Sequence, residues 1–252
     1  MDNALTRDAY LGGRVMLWQP ARGYRAGVDP VLLAAACPAR PGDTVLELGC
    51  GVGTAALCLA ARVPDLMLTG IERQTEMAAL AHRNAIECEA QMDVVCADIA
   101  DLPDALRQRS WDHVIANPPY FDRARSLSSN HEAREAAMGE DTPLETWVDV
   151  ATRRLKPRGW VTLIHRPERM AELLRHLDGR MGSVSILPLV PREGREASLI
   201  LLRARKEGRG PLRLLSPLIL HQGNRHESDA EDYTDQVSAV LRCGAAIPSF
   251  GD

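Results

Sequence analysis

Residues 43–53 read Asp43-Thr-Val-Leu-Glu-Leu-Gly-Cys-Gly-Val-Gly53. A short, mostly apolar run enters a turn with glycine at 49, 51 and 53. A short apolar run bounded by a turn signal marks a strand buried on both faces, as in a parallel sheet covered by helices. The glycines let the chain turn tightly and let a ligand come close to the main chain. A helix over 54–62 follows, completing a strand–turn–helix unit. Working outward, the same alternation recurs. Strands are expected over 66–72, 92–97, 110–116, 159–165, 183–188 and 197–203, and helices over 75–89, 143–155 and 168–177. The pattern predicts an α/β fold, a seven-stranded and mostly parallel sheet with helices on both faces. The link Pro191-Arg-Glu-Gly-Arg-Glu196 is too short for a helical crossover, so the last strand is expected to be antiparallel.

Three regions follow from this core. Residues 1–42 hold a hairpin turn at Gly12-Gly13 and the loop Gly23-Tyr-Arg-Ala-Gly-Val-Asp29. Residues 43–205 form the core. Residues 206–252 are a C-terminal extension rich in glycine, proline and charge, expected to pack on the core. Its stretch 227–235 carries acids without a base and reads as a solvated loop.

With 252 residues, 45% hydrophobic and 25% charged, the chain is long enough to bury a full core without staples. That excludes collagen-like, wholly disordered and disulfide-scaffold proteins. No apolar run approaches a membrane span, and the first residues lack a signal-peptide pattern, so the expected location is the cytoplasm. The 6 cysteines form no Cys-x-x-Cys pair and read as reduced core residues. The 7 histidines show no His-Glu-x-x-His pattern, so no metal is expected. His113 and His165 fall on strands and read as structural. A net charge of −4 argues against a uniformly basic surface but leaves room for a local basic face.

In open α/β sheets, ligands sit beyond the carboxyl ends of the strands, where the strand order reverses. Glu47, Gly49, Gly51 and Gly53 lie there at the end of the first strand. Glu72 ends the second and Asp98 follows the third. One carboxylate suits the hydroxyls of a ribose and another an exocyclic amine, which together describe an adenosine pocket. Gly51-x-Gly53-x-x-Ala56, with Glu72 near the ribose-binding spacing, also fits a dinucleotide fingerprint, so a nicotinamide or flavin enzyme stays open on these residues alone.

Asn117-Pro118-Pro119-Tyr120 ends the fourth strand. Neither proline has an N–H, so this backbone presents only acceptors. The Asn117 amide oxygen adds another. Two fixed acceptors converging on one point suit an –NH2 group, and an adjacent aromatic pair, Tyr120-Phe121, suits stacking on a base.

With the glycine turn, the two acids and the Asn-Pro-Pro-Tyr motif together, the chain resembles a Rossmann-like class I S-adenosylmethionine-dependent methyltransferase of the amino-methylating branch. Gln19-Pro20, Gly23-Tyr24-Arg25, Asp29 and Arg192-Glu193-Gly194 are similar to the bacterial tRNA1(Val) (adenine-N6)-methyltransferase family. The resemblance implies that Glu47, Gly49, Gly51 and Gly53 hold the methionine portion of the cofactor. It gives the ribose to Glu72 and the adenine amine to Asp98, and it closes the Tyr24–Asp29 loop, Gly27 included, over the methionine end. Asn117, beside the cofactor, and the Pro118 carbonyl grip the acceptor amine, with Pro119 shaping the turn and Tyr120 stacking on the base. The implied acceptor is an adenine of tRNA near the anticodon. The same motif also occurs in enzymes acting on rRNA, DNA and protein glutamine, and a non-catalytic nucleotide-binding module is the reading from another class.

A nucleic acid needs phosphate contacts. Candidates are Arg22 and Arg25 by the N-terminal loop, Arg123 and Arg125 after the catalytic turn, and Arg192 and Arg195 in the last hairpin. Arg203, Arg205, Lys206 and Arg209 follow that hairpin.

Overall fold

The computed structural model describes residues 4–23, 25–120, 142–223 and 232–250. The chain opens with an antiparallel hairpin, β1 (Leu5–Tyr10) and β2 (Val15–Pro20), in register from Leu5 opposite Pro20 to Tyr10 opposite Val15. Its turn places Gly12 at φ +65, where an added Cβ would lie 2.8 Å from the Arg242 carbonyl. Helix α1 (Asp29–Ala36) follows, with Pro30 in its first turn, where the missing N–H costs nothing.

The core then runs β3 (Thr44–Leu48), α2 (Thr54–Arg62), β4 (Met67–Glu72), α3 (Thr75–Glu87), β5 (Met92–Cys96), the short α4 (Asp104–Arg107) and β6 (Trp111–Ala116). After residues 121–141 come α5 (Leu144–Arg154), β7 (Leu155–His165), α6 (Met170–Leu177), β8 (Met181–Val190) and β9 (Leu199–Lys206). The extension contributes β10 (Arg213–Leu214), β11 (Leu218–Ile219) and α7 (Asp235–Cys243).

The main sheet is ordered β10-β8-β9-β7-β6-β3-β4-β5, and β11 also pairs with β8. Strand β9 is antiparallel to both β7 and β8, while the other pairings in this sheet are parallel. The seven expected strands are therefore present in the expected sense. Two two-residue strands from the extension add to the outer edge, giving a sheet of nine. Strand β7 begins four residues before the expected start: its register against β6 jumps between Trp111 and His113, and the irregularity absorbs Pro157, Arg158 and Gly159.

Side chains alternate across the central strands. Val45 and Ile115 join the core cluster under the hairpin, α1 and α2, while Leu46, Leu48, Val114 and Ala116 join the cluster under α5 and α6. This two-sided burial is what the mostly apolar run of β3 requires. Strand order reverses between β3 and β6, which opens a crevice at their carboxyl ends.

Asn84 of α3, 0% exposed, fastens the hairpin to that crevice. Its amide donates to the carbonyls of Trp18 (3.1 Å) and Val52 (3.0 Å) and accepts the Trp18 N–H (2.8 Å). Arg83 lies over the Trp18 ring at 4.1 Å, adding a cation–π contact to the same joint. Of the cysteines, Cys37, Cys50 and Cys58 are buried as expected. Cys96 and Cys243 are exposed, because one ends an edge strand and the other ends a surface helix. Among the described residues no helix is long and apolar enough to cross a membrane.

Candidate active site

The three glycines of the turn each answer a different need. All have positive φ, +63 at Gly49, +54 at Gly51 and +86 at Gly53. A Cβ on Gly49 would stand 2.5 Å from Trp147 Cη2, so the indole of α5 packs directly on the turn. A Cβ on Gly51 would meet nothing within 4 Å, so this face of the turn is open. Gly53 is the residue that starts α2. We expect Gly49→Ala to lower the melting temperature by roughly 5–15 °C, from backbone strain and overpacking together. Gly51→Ala carries the strain without the collision and should lose less; equal losses in thermal melts would contradict this packing.

Glu47 and Glu72 brace the turn from two sides. The Glu47 carboxylate is buried and accepts the Ala56 N–H of α2 at 2.9 Å. Burial pushes its pKa up to about 8, helped by the nearby Glu72 charge, so the ligand-free protein holds Glu47 largely as the neutral acid near pH 7. Glu72 accepts the Gly51 N–H at 3.0 Å and the Gln74 N–H at 2.8 Å. It ends β4 and fixes the conformation that leaves Gly51 open. Asp98 lies beyond β5 on the same edge. It is exposed, and one of its oxygens accepts the Ala100 N–H at 2.8 Å.

Asn117 follows β6 directly. Its side-chain oxygen is buried and has no hydrogen-bond partner among the described residues. Gln19, Ala26, Glu47, Gly49, Gly51 and Asn117 line one cavity in the crevice, and Thr54, whose buried hydroxyl also lacks a partner, lines it as well. An unpaired buried acceptor costs free energy unless something else satisfies it. Two on one cavity wall mark a place for a polar ligand.

Tyr120 closes the motif. Its hydroxyl donates to Asp29 at 2.7 Å, and its ring meets His165 edge-on at 5.5 Å between centroids. His165 is fully buried, and its Nδ1 accepts the Arg166 N–H at 2.8 Å. Burial, with Arg169 adding to it, pushes the imidazole pKa down to about 4, so the ring is neutral at ordinary pH. His113, by contrast, bonds Asp43 at 2.9 Å. Gly27 is exposed on the segment before α1. Tyr24, Phe121, Arg123 and Arg125 lie outside the described residues.

The arginines divide. Arg22 is exposed on the segment that follows β2. Arg25 pairs with Asp8 at 2.6 Å. Arg192, expected to face a substrate, is instead turned inward. Its side chain is only 13% exposed and holds the Asp232 carboxylate and the Gln222 carbonyl, tying the extension to the β8–β9 turn. Arg203, Arg205 and Lys206 lie towards the opposite edge of the sheet. Strand β9 is antiparallel, so Trp160 faces Arg205 while His165 faces Ile200. Arg203 is buried over the Trp160 and Phe250 rings, and Lys206 donates to the Leu155 carbonyl at 2.7 Å.

Thr54 escapes a motif reading because a threonine opening a helix looks like ordinary capping chemistry. Gln19 carries a weak signal: a polar residue at an inward position of an alternating strand.

A family model described as a methyltransferase domain matches residues 45–136. The tRNA1(Val) (adenine(37)-N6)-methyltransferase of Porphyromonas gingivalis (strain ATCC 33277) is 32% identical over 196 residues, covering 72% of this chain and 76% of that one. The chain belongs to this family of S-adenosylmethionine-dependent methyltransferases. The enzyme of the same name from Photorhabdus laumondii is 33% identical over 136 residues, and there the alignment spans 53% of this methyltransferase and about half, 54%, of the relative. Among solved structures, a predicted O-methyltransferase from Agrobacterium tumefaciens superposes with a TM-score of 0.69 at 28% identity, covering 86% of this methyltransferase and 97% of that chain. A Thermus thermophilus 16S rRNA N2 methyltransferase solved with AdoMet and guanosine shares the fold at a TM-score of 0.56 and 19% identity, covering 81% of this chain and 50% of that one. The cofactor of the methyltransferase is S-adenosylmethionine. The residues present fit such a group: an open glycine turn, carboxylates at successive strand ends, and unpaired polar atoms on the cavity wall.

Proposed function

We propose that this methyltransferase methylates the N6 amine of an adenine in tRNA, next to the anticodon, in the cytoplasm. The observation that carries the reading is the buried, unpaired Asn117 oxygen. It stands on the wall of the same cavity as the glycine turn and heads a motif whose two prolines offer no N–H.

Gly49, Gly51 and Gly53 with Glu47 hold the methionine portion of the cofactor, Glu72 its ribose and Asp98 its adenine amine. The segment from Tyr24 through Gly27 to Asp29 covers the methionine end. The bound cofactor supplies an electrophilic methyl group on a sulfonium. The chain's own work is on the acceptor. Adenine N6 is a poor nucleophile because its lone pair is delocalised into the ring. The Asn117 oxygen and the Pro118 carbonyl accept its two hydrogens and favour a pyramidal nitrogen. That attraction grows as the nitrogen gains positive charge, so it favours the transition state over the ground state. The product ammonium is acidic and releases its proton without a dedicated base. Tyr120 stacks on the base, and an unpaired loop adenine is cheap to extrude. Arg22, with Arg25 and Arg123, supplies phosphate contacts.

The test is transfer of labelled methyl to fractionated tRNA, rRNA, DNA and protein from a strain lacking the gene. Label entering tRNA as N6-methyladenosine is expected. Label in another fraction, with none in tRNA, overturns the acceptor.

A further inference from the structure

The hydrogen bond from the Tyr120 hydroxyl to Asp29 joins residues that are 91 positions apart, one from each half of the site. Asp29 opens α1, whose N-terminus favours a negative charge. The segment before it is held just as firmly. Gln19, 2% exposed, accepts the Ala26 N–H at 2.8 Å, and Tyr10 donates to the Ala26 carbonyl at 2.7 Å. The Gln19 amide in turn donates to Tyr10 and to Asp8, at 2.8 Å each. The hairpin thus fixes Ala26 on both sides of its backbone. Asp29, three residues on, is a rigid point rather than the tip of a loose loop. On its other side the Tyr120 ring meets the buried His165, and the Arg166 guanidinium carbon lies 5.9 Å from the ring centroid. The phenol is therefore held at its tip by Asp29 and contacted around its ring by His165 and Arg166.

We propose that Asp29 is a positioning residue for the acceptor: its carboxylate fixes the plane and place of the Tyr120 ring on which a flat heterocycle stacks, and it does so from the segment that covers the cofactor. This rests on the reading of Tyr120 as the stacking face. It gives Asp29 a duty towards the acceptor, apart from any contact with the methionine end. A ring held in advance loses less entropy when a base docks. A hydrogen bond to a charged partner contributes enough for its loss to be measured.

The experiment compares the full-length wild type, Tyr120→Phe, Asp29→Ala, the double variant and Asp29→Asn. Labelled methyl transfer is measured on tRNA from a strain lacking the gene, at saturating cofactor, with S-adenosylhomocysteine affinity measured by calorimetry. Each of Tyr120→Phe and Asp29→Ala is expected to lose about tenfold in kcat/KM, carried by KM for tRNA, and in Tyr120→Phe, which leaves the covering segment intact, S-adenosylhomocysteine affinity is unchanged within about twofold. The double variant should lose no more than the worse single one, since both remove one bond. Asp29→Asn, whose amide oxygen still accepts the phenol, should fall between wild type and Asp29→Ala. Losses that multiply to about a hundredfold in the double variant overturn the proposal. So does a Tyr120→Phe defect matched by an equal loss of S-adenosylhomocysteine affinity. Tyr120→Phe keeps the test decisive if Asp29→Ala folds poorly, because a fully active Tyr120→Phe also overturns it. If wild type labels no tRNA, the tRNA reading falls alone. The same five proteins are then compared on the fraction that takes label, where additivity decides as before.

Discussion

Asn117→Ala should lower methyl transfer by roughly 10²–10³-fold, the loss seen when one pre-placed polar group facing developing charge is removed. It should do so in a protein that folds as well as wild type. The Asn117 oxygen makes no hydrogen bond among the described residues, so its removal breaks none among them. An unpaired buried acceptor costs about 1–3 kcal/mol, so thermal stability is expected to hold or rise slightly. This pairing of outcomes, activity lost and stability kept, separates a catalytic oxygen from a packing one. Labelled transfer, a thermal melt and cofactor calorimetry on one preparation measure all three quantities. Activity within tenfold of wild type would remove Asn117 from the mechanism. A melting temperature lowered in proportion to the activity would make it structural.

The sheet was legible because its strands bury both faces and its helices carry an amphipathic stripe, two patterns that do not resemble each other. The antiparallel sense of β9 followed from a link of a few residues between two apolar runs. Helix α1 was not legible. Pro30 through Ala36 are all buried, so the helix is apolar on every side and shows no period of 3.6. In the extension, β10 and β11 are two residues each, too short for any period to register. Helix α7 has a readable start, since Thr234 caps it and accepts the Val237 N–H. The acidic stretch before it pulls the reading towards a solvated loop, and the helix begins on the last of those acids, Asp235.

The site divides in the same way. Glu47, Glu72, Asp98 and Asn117 were legible because each sits at or just past the end of its own strand, where local sequence fixes position. Contacts between distant segments were not. Nothing in a linear reading places Asp29 against Tyr120, or the unpaired Thr54 hydroxyl on the Asn117 cavity. Charge misleads for a related reason. An arginine on paper is a free cation, but Arg192 is spent on Asp232 and Arg203 is buried between aromatic rings. The direction of β9 then sends Arg205 and Lys206 towards the edge opposite the crevice.

Melting the ligand-free protein across pH should expose Glu47. Its pKa is about 8 in the folded chain against an ordinary 4.5, so the folded state binds this proton more tightly than the unfolded state. The stability that the proton confers is complete below about pH 4.5. It is lost as pH rises, and the loss levels off above 8. His165 acts in the other sense. Its imidazole has a pKa of about 4 when folded and 6.5 when free, so unfolding takes up a proton and stability rises with pH between those values. The two slopes oppose each other from about 4.5 to 6.5, and over that window their contributions nearly cancel. From 6.5 to 8 only Glu47 of this pair is titrating, and it removes about 2 kcal/mol at one proton's slope, a fall of roughly 4–8 °C. Glu47→Gln keeps the acceptor for the Ala56 N–H and cannot ionise. It should remove Glu47's share of the fall above 6.5 and uncover the rise below it. What remains of the fall is due to His113, whose pKa burial lowers but Cys37 and Asp43 raise on balance. Identical pH profiles for the two proteins would mean that Glu47 ionises freely in the folded state, and the burial of its carboxyl would no longer account for its chemistry.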